Sequence, residues 1–136
     1  MILLDTNVLS ELTRPTPSAR VVTWLAVNEP SLAVPTIALA EVRYGISRLP
    51  RGRRRSSLLD FWRATCERFR DRILSFDRRA AEAYGDIAAR AERSGRRLNV
   101  QDGQIAAIAL VHRMQVATRN VADFESSGVA LVNPWD

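Results

Sequence analysis

Residues 1–12 read "MILLDTNVLSEL", and they place a carboxylate, Asp5, directly behind a short apolar run. Two polar residues, Thr6 and Asn7, follow before the apolar pattern resumes. Short aliphatic runs bounded by polar residues are typical of buried β-strands. We therefore interpret residues 2–4 as a strand that carries Asp5 at its carboxyl end.

Short apolar runs recur along the chain and alternate with longer stretches of helical spacing. We predict four further strands, at residues 32–34, 73–76, 116–118 and 130–132. Ser18 and Thr36 are expected to cap helices, and Gly95 is expected to follow the end of another. This alternation predicts an α/β fold of three layers, α/β/α, with a central parallel sheet. A length of 136 residues suits a single domain over 1–136.

The composition excludes several classes of protein. The net charge is +5, and every strong positive charge is an arginine because the chain contains no lysine. Cys66 is the only cysteine, so an intramolecular disulfide or a cysteine-built zinc site is excluded. No apolar run is long enough for a membrane span, and the start lacks a signal-peptide pattern. We expect a cytoplasmic protein that does not enter a membrane.

Three further acids stand where this fold would bring them to the same edge as Asp5. Glu41 lies in the helical stretch 36–47, where Ile37, Ala40 and Tyr44 share its face and the neighbouring face is formed by Leu39, Val42 and Ile46. Glu41 is predicted to be the only residue that interrupts this apolar surface. Asp102 opens an apolar helix, and Asp123 follows the strand at 116–118. Ligands of open parallel sheets collect beyond the carboxyl ends of the strands, so we expect the four acids to converge there.

Each acid also has a structural explanation when it is taken alone. Asp5 and Asp123 could be turn residues, Asp102 a cap or first-turn acid of its helix, and Glu41 half of a buried ion pair with an arginine. One shared site explains all four positions, whereas the separate explanations require four acids to meet at one edge by coincidence. Clustered carboxylates repel unless a cation neutralises them, and all-oxygen ligands suit Mg²⁺ or Mn²⁺. Such a site predicts metal-assisted hydrolysis of a phosphodiester.

Four motifs in order, "LDTNVLSEL", "AEVRYG" at 40–45, "QDGQIAAIAL" and "TRNVADF", resemble the PIN-domain family over essentially the whole chain. More narrowly, they are similar to the toxin subunits of VapBC-type toxin–antitoxin modules, including the FitB branch. The resemblance implies an endoribonuclease dependent on Mg²⁺ or Mn²⁺.

The resemblance also implies roles for individual residues. The residues that match the family's catalytic, metal-binding acids are Asp5, Glu41, Asp102 and Asp123. The residues that it implies as supporting polar groups are Thr6, Asn120 and, more weakly, Thr118. Asn7 could join Thr6 in orienting Asp5.

The resemblance further implies an RNA substrate, a cognate antitoxin and a homodimer. The run at 48–56 contains four neighbouring arginines, Arg51, Arg53, Arg54 and Arg55. They could contact the RNA backbone, contact the antitoxin, or lie in a solvated loop. Apolar residues of the next helix could form the core or an interface, and they include Leu58, Leu59, Phe61, Trp62 and Phe69.

Two other functions compete with a nuclease. Phosphoaspartate receiver domains and haloacid-dehalogenase-type phosphatases also place acids at strand ends, but both resemble this chain poorly because they use a lysine. Asn7 also stands where the phosphatases would have a second aspartate. The remaining alternative is a catalytically inactive PIN-like module that binds RNA or protein, and the intact set of four acids argues against it.

Overall fold

The computed structural model describes residues 1–136 and contains five strands and seven α-helices. The strands are β1 (Ile2–Leu4), β2 (Leu32–Pro35), β3 (Ile73–Leu74), β4 (Gln115–Ala117) and β5 (Leu131–Val132). The helices are α1 (Thr6–Glu11), α2 (Ala19–Asn28), α3 (Thr36–Ser47), α4 (Arg53–Arg68), α5 (Arg78–Arg93), α6 (Val100–Val111) and α7 (Val121–Phe124).

The five strands form one sheet in the order β3-β2-β1-β4-β5, and every neighbouring pair is parallel. The central strand β1 pairs through Ile2 with Leu32 of β2 and with Gln115 of β4. All carboxyl ends of the strands therefore meet at one edge. This edge is where the sequence analysis expects the acids.

Helices cover both faces of the sheet. Leu4 points into a core shared with α1 to α4, and Leu3 points into a second core shared with α5, α6 and α7. Leu3 and Leu4 are both fully buried, as a strand enclosed on two faces requires. The predicted three-layer α/β/α fold is confirmed.

Most of the predicted strand boundaries hold to within one residue. The exception is the strand predicted at 73–76, which is limited to Ile73–Leu74. These two residues pair with the end of β2, and Asp77 then begins α5 by accepting a hydrogen bond from the backbone N–H of Ala80 at 3.0 Å. Because only two residues separate Leu74 from the capping residue Asp77, the strand cannot extend further.

The predicted caps had mixed outcomes. Ser18 caps α2 through its hydroxyl, which accepts from the N–H of Val21 at 3.4 Å. Gly95 follows α5 with a positive φ of 75°, the backbone conformation that glycine adopts without strain. The prediction for Thr36 was wrong, because α3 follows β2 directly and Thr36 is already its first helical residue.

Helix α6 is the most buried helix of the fold, with Ile105, Ala106, Ala107, Ile108 and Ala109 all inaccessible to solvent. It packs closely on α5 beside Gly103. A Cβ atom at Gly103 would lie 2.8 Å from Cε1 of Tyr84, so only glycine allows this approach without a shift of the ring. The close packing fixes the start of α6, and Asp102 with it.

Helix α4 contributes to the core and also leaves part of its surface open. Leu58, Leu59 and Trp62 pack against the core, and Phe69 is buried within it. Phe61 instead lines an apolar groove of about 690 Å³, bounded by α1, α2 and α4. We call this the apolar groove.

The arginine run does not lie entirely in a loop. Arg51 precedes α4, whereas Arg53, Arg54 and Arg55 form its first turn. The side chains of Arg51, Arg53 and Arg54 are exposed, and Arg55 is half-buried. None of the seven helices has the length and apolar character that a membrane crossing requires.

Candidate active site

Asp5 is the most constrained carboxylate of the site. Its backbone N–H donates to the carbonyl of Ala117 at 3.0 Å, which extends the pairing of β1 with β4 by one residue. Its side chain is 4% exposed. Oδ1 accepts the N–H of Thr6 at 2.7 Å and so caps α1. Oδ2 accepts from the hydroxyl of Thr118 at 2.8 Å and from the amide of Asn7 at 3.1 Å.

Asn7 and Thr118 connect β1 and β4 around this carboxylate. The Asn7 amide also donates to Oγ1 of Thr118 at 3.3 Å, and its Oδ1 accepts the N–H of Arg119 at 3.3 Å. Oγ1 of Thr118 accepts the backbone N–H of Asn120 at 3.0 Å. Asn120 thus supports the site through its backbone. The network leaves the Asp5 side chain few alternative orientations.

Burial raises the pKa of Asp5, and the nearby charge of Asp123 raises it further. Hydrogen bonds from Thr118 and from the N–H of Thr6 act in the opposite direction, because they favour the ionised form. The pKa of Asp5 therefore lies above its ordinary value, because these hydrogen bonds do not fully offset burial and the charge of Asp123. A positive charge at the site would lower the pKa of Asp5.

Glu41 lies in the second turn of α3, in a setting that differs from the prediction. It is half-buried, but Ala40 and Tyr44 are exposed, so the expected buried apolar surface around it is wrong. The prediction for the neighbouring face is confirmed, because Leu39, Val42 and Ile46 are buried, together with Ala38. Partial burial raises the pKa of Glu41, and the charge of Asp5 adds to this effect.

The Thr6 hydroxyl contributes to the environment of Glu41. It lies close enough to offset part of the rise in the pKa of Glu41. It is nevertheless buried without a hydrogen-bond partner of normal geometry. A buried hydroxyl without a partner is costly, so this group is available to a ligand at the site.

Asp102 lies in the first turn of α6 and does not cap the helix. Asn99 is the cap, and its Oδ1 accepts the N–H groups of Gln101 at 2.9 Å and Asp102 at 3.3 Å. The carboxylate of Asp102 is thereby free for another role. Its pKa is raised from 3.8 to about 6, first by burial and then by the charges of Asp5, Asp123 and Glu41, in that order.

Asp123 lies in the first turn of α7, just past β4, and its side chain is exposed. Its charge acts on both Asp5 and Asp102, whose pKa values it raises. The four predicted acids therefore share one electrostatic environment, although they come from α6, α7, α3 and the end of β1.

None of the four acids forms a salt bridge, since the ion-paired acids of this chain are Glu11, Glu29, Asp60, Glu67 and Glu82. The alternative of a buried ion pair at Glu41 is thus wrong. No three of the acids are close enough to form a ready metal-binding group. Oxygen-only donors, an excess of negative charge and the free Thr6 hydroxyl fit a hard divalent cation.

Comparison with known proteins agrees with the fold and the motifs. The family model of the PIN domain matches residues 2–126. The chain is 38% identical to the VapC ribonuclease Y4jK of Sinorhizobium fredii, over 100% of this chain and 99% of that protein. It is 39% identical to toxin FitB of Neisseria gonorrhoeae, over 99% of both chains.

A solved structure of FitAB bound to the IR36 DNA fragment matches with a TM-score of 0.95 and 40% identity, covering 100% of this chain and 96% of that one. This chain belongs to the PIN-domain family. The resemblance inferred from the four motifs is confirmed, including the likeness to VapC and FitB.

The sequence analysis located the acids and foresaw part of their support, since the Asn7 amide donates to Asp5 as expected. It assigned Thr118 a minor role, whereas this hydroxyl makes the shortest side-chain bond to Asp5. The signal was present, because Thr118 follows β4 just as Asp5 follows β1. Recognising it required the knowledge that these two strands are neighbours.

We predict that Thr118→Val destabilises the protein at pH 7 by about 1–3 kcal/mol, because a buried carboxylate loses a hydrogen bond. The pKa of Asp5 should rise further, so the loss should shrink at pH 4, where Asp5 is more protonated. Urea unfolding at both pH values measures this. Thr118→Ser keeps the hydroxyl and serves as the control. Equal losses at both pH values would contradict the assignment.

We predict that Asp102→Asn stabilises the metal-free protein at pH 7.5. The raised pKa means that the folded state binds a proton more tightly than the unfolded state, so stability falls as pH rises from 3.8 to about 6. The variant avoids this loss and should gain about 1 kcal/mol, a value discounted for solvent screening.

Urea unfolding with EDTA at pH 3.5 and pH 7.5 tests the Asp102 prediction, and the gain should vanish at the lower pH. Asp86→Asn, an exposed acid on α5, is the matched control and should change little at either pH. A destabilised Asp102→Asn at pH 7.5 would show that the carboxylates do not repel.

Proposed function

We propose that this chain is an endoribonuclease dependent on Mg²⁺ or Mn²⁺ and the toxin component of a VapBC-like toxin–antitoxin system. The observation that carries the proposal is the set of four carboxylates at one sheet edge with no ion-paired arginine among them. The names of the relatives, a VapC ribonuclease and toxin FitB, support the same function.

The acids that would hold the divalent ion are Asp5, Glu41, Asp102 and Asp123. When bound, such an ion supplies charge neutralisation at a phosphate and a lowered pKa for water. Phosphodiester hydrolysis joins a water oxygen to phosphorus and breaks the bond between phosphorus and O3′, which leaves a 3′-hydroxyl and a 5′-phosphate.

The residues around the acids have separate tasks in this proposal. Thr118 and Asn7 hold Oδ2 of Asp5, so that its direction is set before substrate binds. The Thr6 hydroxyl can donate to a phosphate oxygen or to water, since it has no partner in the protein. Burial raises the pKa values of Glu41 and Asp102, and a bound cation would favour their ionised forms.

We expect Asp5→Asn to lower the rate of RNA cleavage at least about 100-fold, the scale typical of losing a charged group that acts in the transition state. The assay incubates structured RNA with the protein in Mg²⁺ or Mn²⁺, with EDTA in a parallel reaction. Asp86→Asn removes an exposed acid outside the site and should retain full activity.

Cleavage that survives both EDTA and Asp5→Asn would remove the metal-dependent mechanism. RNA binding without any cleavage by the wild type would favour the inactive PIN-like module. Unfolding curves of both variants separate lost chemistry from lost structure.

We also propose that the apolar groove binds the cognate antitoxin. Its lining is mainly apolar and partly open to solvent, as in Val22 of α2, which is 41% exposed. Surfaces of this kind accept an amphipathic helix of a partner. The neighbouring structure of FitAB supports a two-protein assembly.

We predict that Ala64→Arg, which places a charge in the apolar groove, weakens antitoxin binding at least about tenfold, since a buried unpaired charge is costly at an interface. Co-expression with the cognate antitoxin, followed by a pull-down and calorimetry, measures this. Ala89→Arg on the exposed side of α5 is the control. Equal antitoxin binding by both variants would show that the antitoxin does not bind in the apolar groove.

We further propose that the protein is a homodimer and that it acts in the cytoplasm. Light scattering of the purified chain, alone and with the antitoxin, measures the mass directly. A monomer in both samples would contradict the dimer and leave the nuclease proposal intact.

A further inference from the structure

A cleft of mixed polar and apolar lining connects the carboxylate site to the basic start of α4. It has a volume of about 250 Å³ and is bounded by α1, α3 and α4. Glu41 and Gly45 line it on α3, and Arg54 lines it on α4. Ser10 of α1 and Thr13, which follows α1, add two hydroxyl groups, and the apolar lining residues are Val42, Ile46, Leu49 and Leu58. We call this the Glu41–Arg54 cleft.

The cleft continues into a second depression of about 500 Å³. The two share Thr13, Arg54 and Leu58, and the second adds Arg53. The structure thereby separates the arginines that the sequence could only group together. Arg53 and Arg54 line this route, whereas Arg51 and Arg55 line neither part of it.

The positive charge along the route is not neutralised within the protein. Neither Arg53 nor Arg54 forms a salt bridge. The first turn of α4 contains no acid, and its N-cap, Gly52, offers no side-chain acceptor. The positive end of the helix dipole therefore adds to the arginine charges. The far end of the cleft thus attracts anions, while the Glu41 end belongs to the carboxylate site.

We propose that the Glu41–Arg54 cleft binds the single-stranded RNA backbone next to the scissile phosphate, with Arg54 and then Arg53 contacting successive phosphates. This inference rests on the proposed ribonuclease function and adds the path of the substrate. The Ser10 hydroxyl lies along the same path, where it can bond a phosphate oxygen. Thr13 Oγ1 donates to the Ser10 carbonyl at 2.7 Å and can accept from a ribose hydroxyl.

RNA and an acidic peptide both carry negative charges that Arg53 and Arg54 attract and that Glu41 repels. We assign RNA to the cleft because its Glu41 end belongs to the site proposed to hold the scissile phosphate, and an RNA chain extends beyond that phosphate. Arg53 and Arg54 line the route that leads away from Glu41, where flanking phosphates would lie.

Two matched pairs of variants test the path. Arg54→Gln removes a charge in the cleft, and Arg79→Gln removes an unpaired exposed charge on α5. Gly45→Leu fills the cleft, and Gly85→Leu adds the same side chain on α5. Both glycines are helical, exposed and free of any atom within 4 Å of an added Cβ, so both variants should fold.

The probe is a fluorescein-labelled 12-nucleotide single-stranded RNA of mixed sequence, measured by anisotropy in EDTA so that no cleavage occurs. Arg54→Gln and Gly45→Leu should each weaken binding about fivefold or more, and the two controls less than about twofold. The slope of log K against log salt should fall by about 0.7 for Arg54→Gln, as expected for one lost phosphate contact. Thermal unfolding verifies the fold of every variant.

Equal affinities for cleft and control variants would overturn the proposal. So would weaker binding of a glutamate decamer by Arg54→Gln together with unchanged RNA binding, because the cleft would then fit an acidic protein segment. Binding in EDTA is independent of cleavage, so failure of this path and failure of the Asp5→Asn prediction are separate results.

Discussion

The hydrogen bonds that converge on Asp5 are the interaction on which the rest of the site depends. One carboxylate ends β1, caps α1 and accepts the hydroxyl of Thr118 beyond β4. The same groups that join two strands and a helix therefore fix the direction of a charged oxygen. Because the Asp5 carboxylate is both a structural and a chemical group, its orientation is as rigid as the centre of the sheet.

The other three acids lie around Asp5, where stability and ligand binding favour different arrangements. Burial and mutual charge raise the pKa values of Glu41 and Asp102, so these carboxylates oppose one another's ionisation. Stability and function conflict here, as is common where a site is built for a ligand. A stable protein without a ligand would have paired these acids with some of its 20 arginines. The lack of ion pairs between these acids and the arginines therefore indicates a site for a ligand.

The sequence predicted the layers, the parallel sheet and the edge to which the acids belong. Those features depend on local apolar periodicity and on the position of each acid relative to a strand. The sequence analysis failed where the outcome depended on residues that are close in space but distant in the chain. The Thr36 cap was wrong by one position, and the face that Glu41 shares with Ala40 and Tyr44 is exposed. The Thr118 bond required the strand order. The division of the arginines between the Glu41–Arg54 cleft and solvent required the packing of α4 on α3.

The apolar groove and the cleft are not independent surfaces. Leu12 and Phe61 line both the apolar groove and the depression that contains Arg53 and Arg54. A helix bound in the groove would therefore end beside these arginines, and any chain continuing from it would enter the route that we assign to RNA. Both ligands would then compete for the same cations. Under these two proposals, binding of the partner would block the substrate without any change in the position of Asp5.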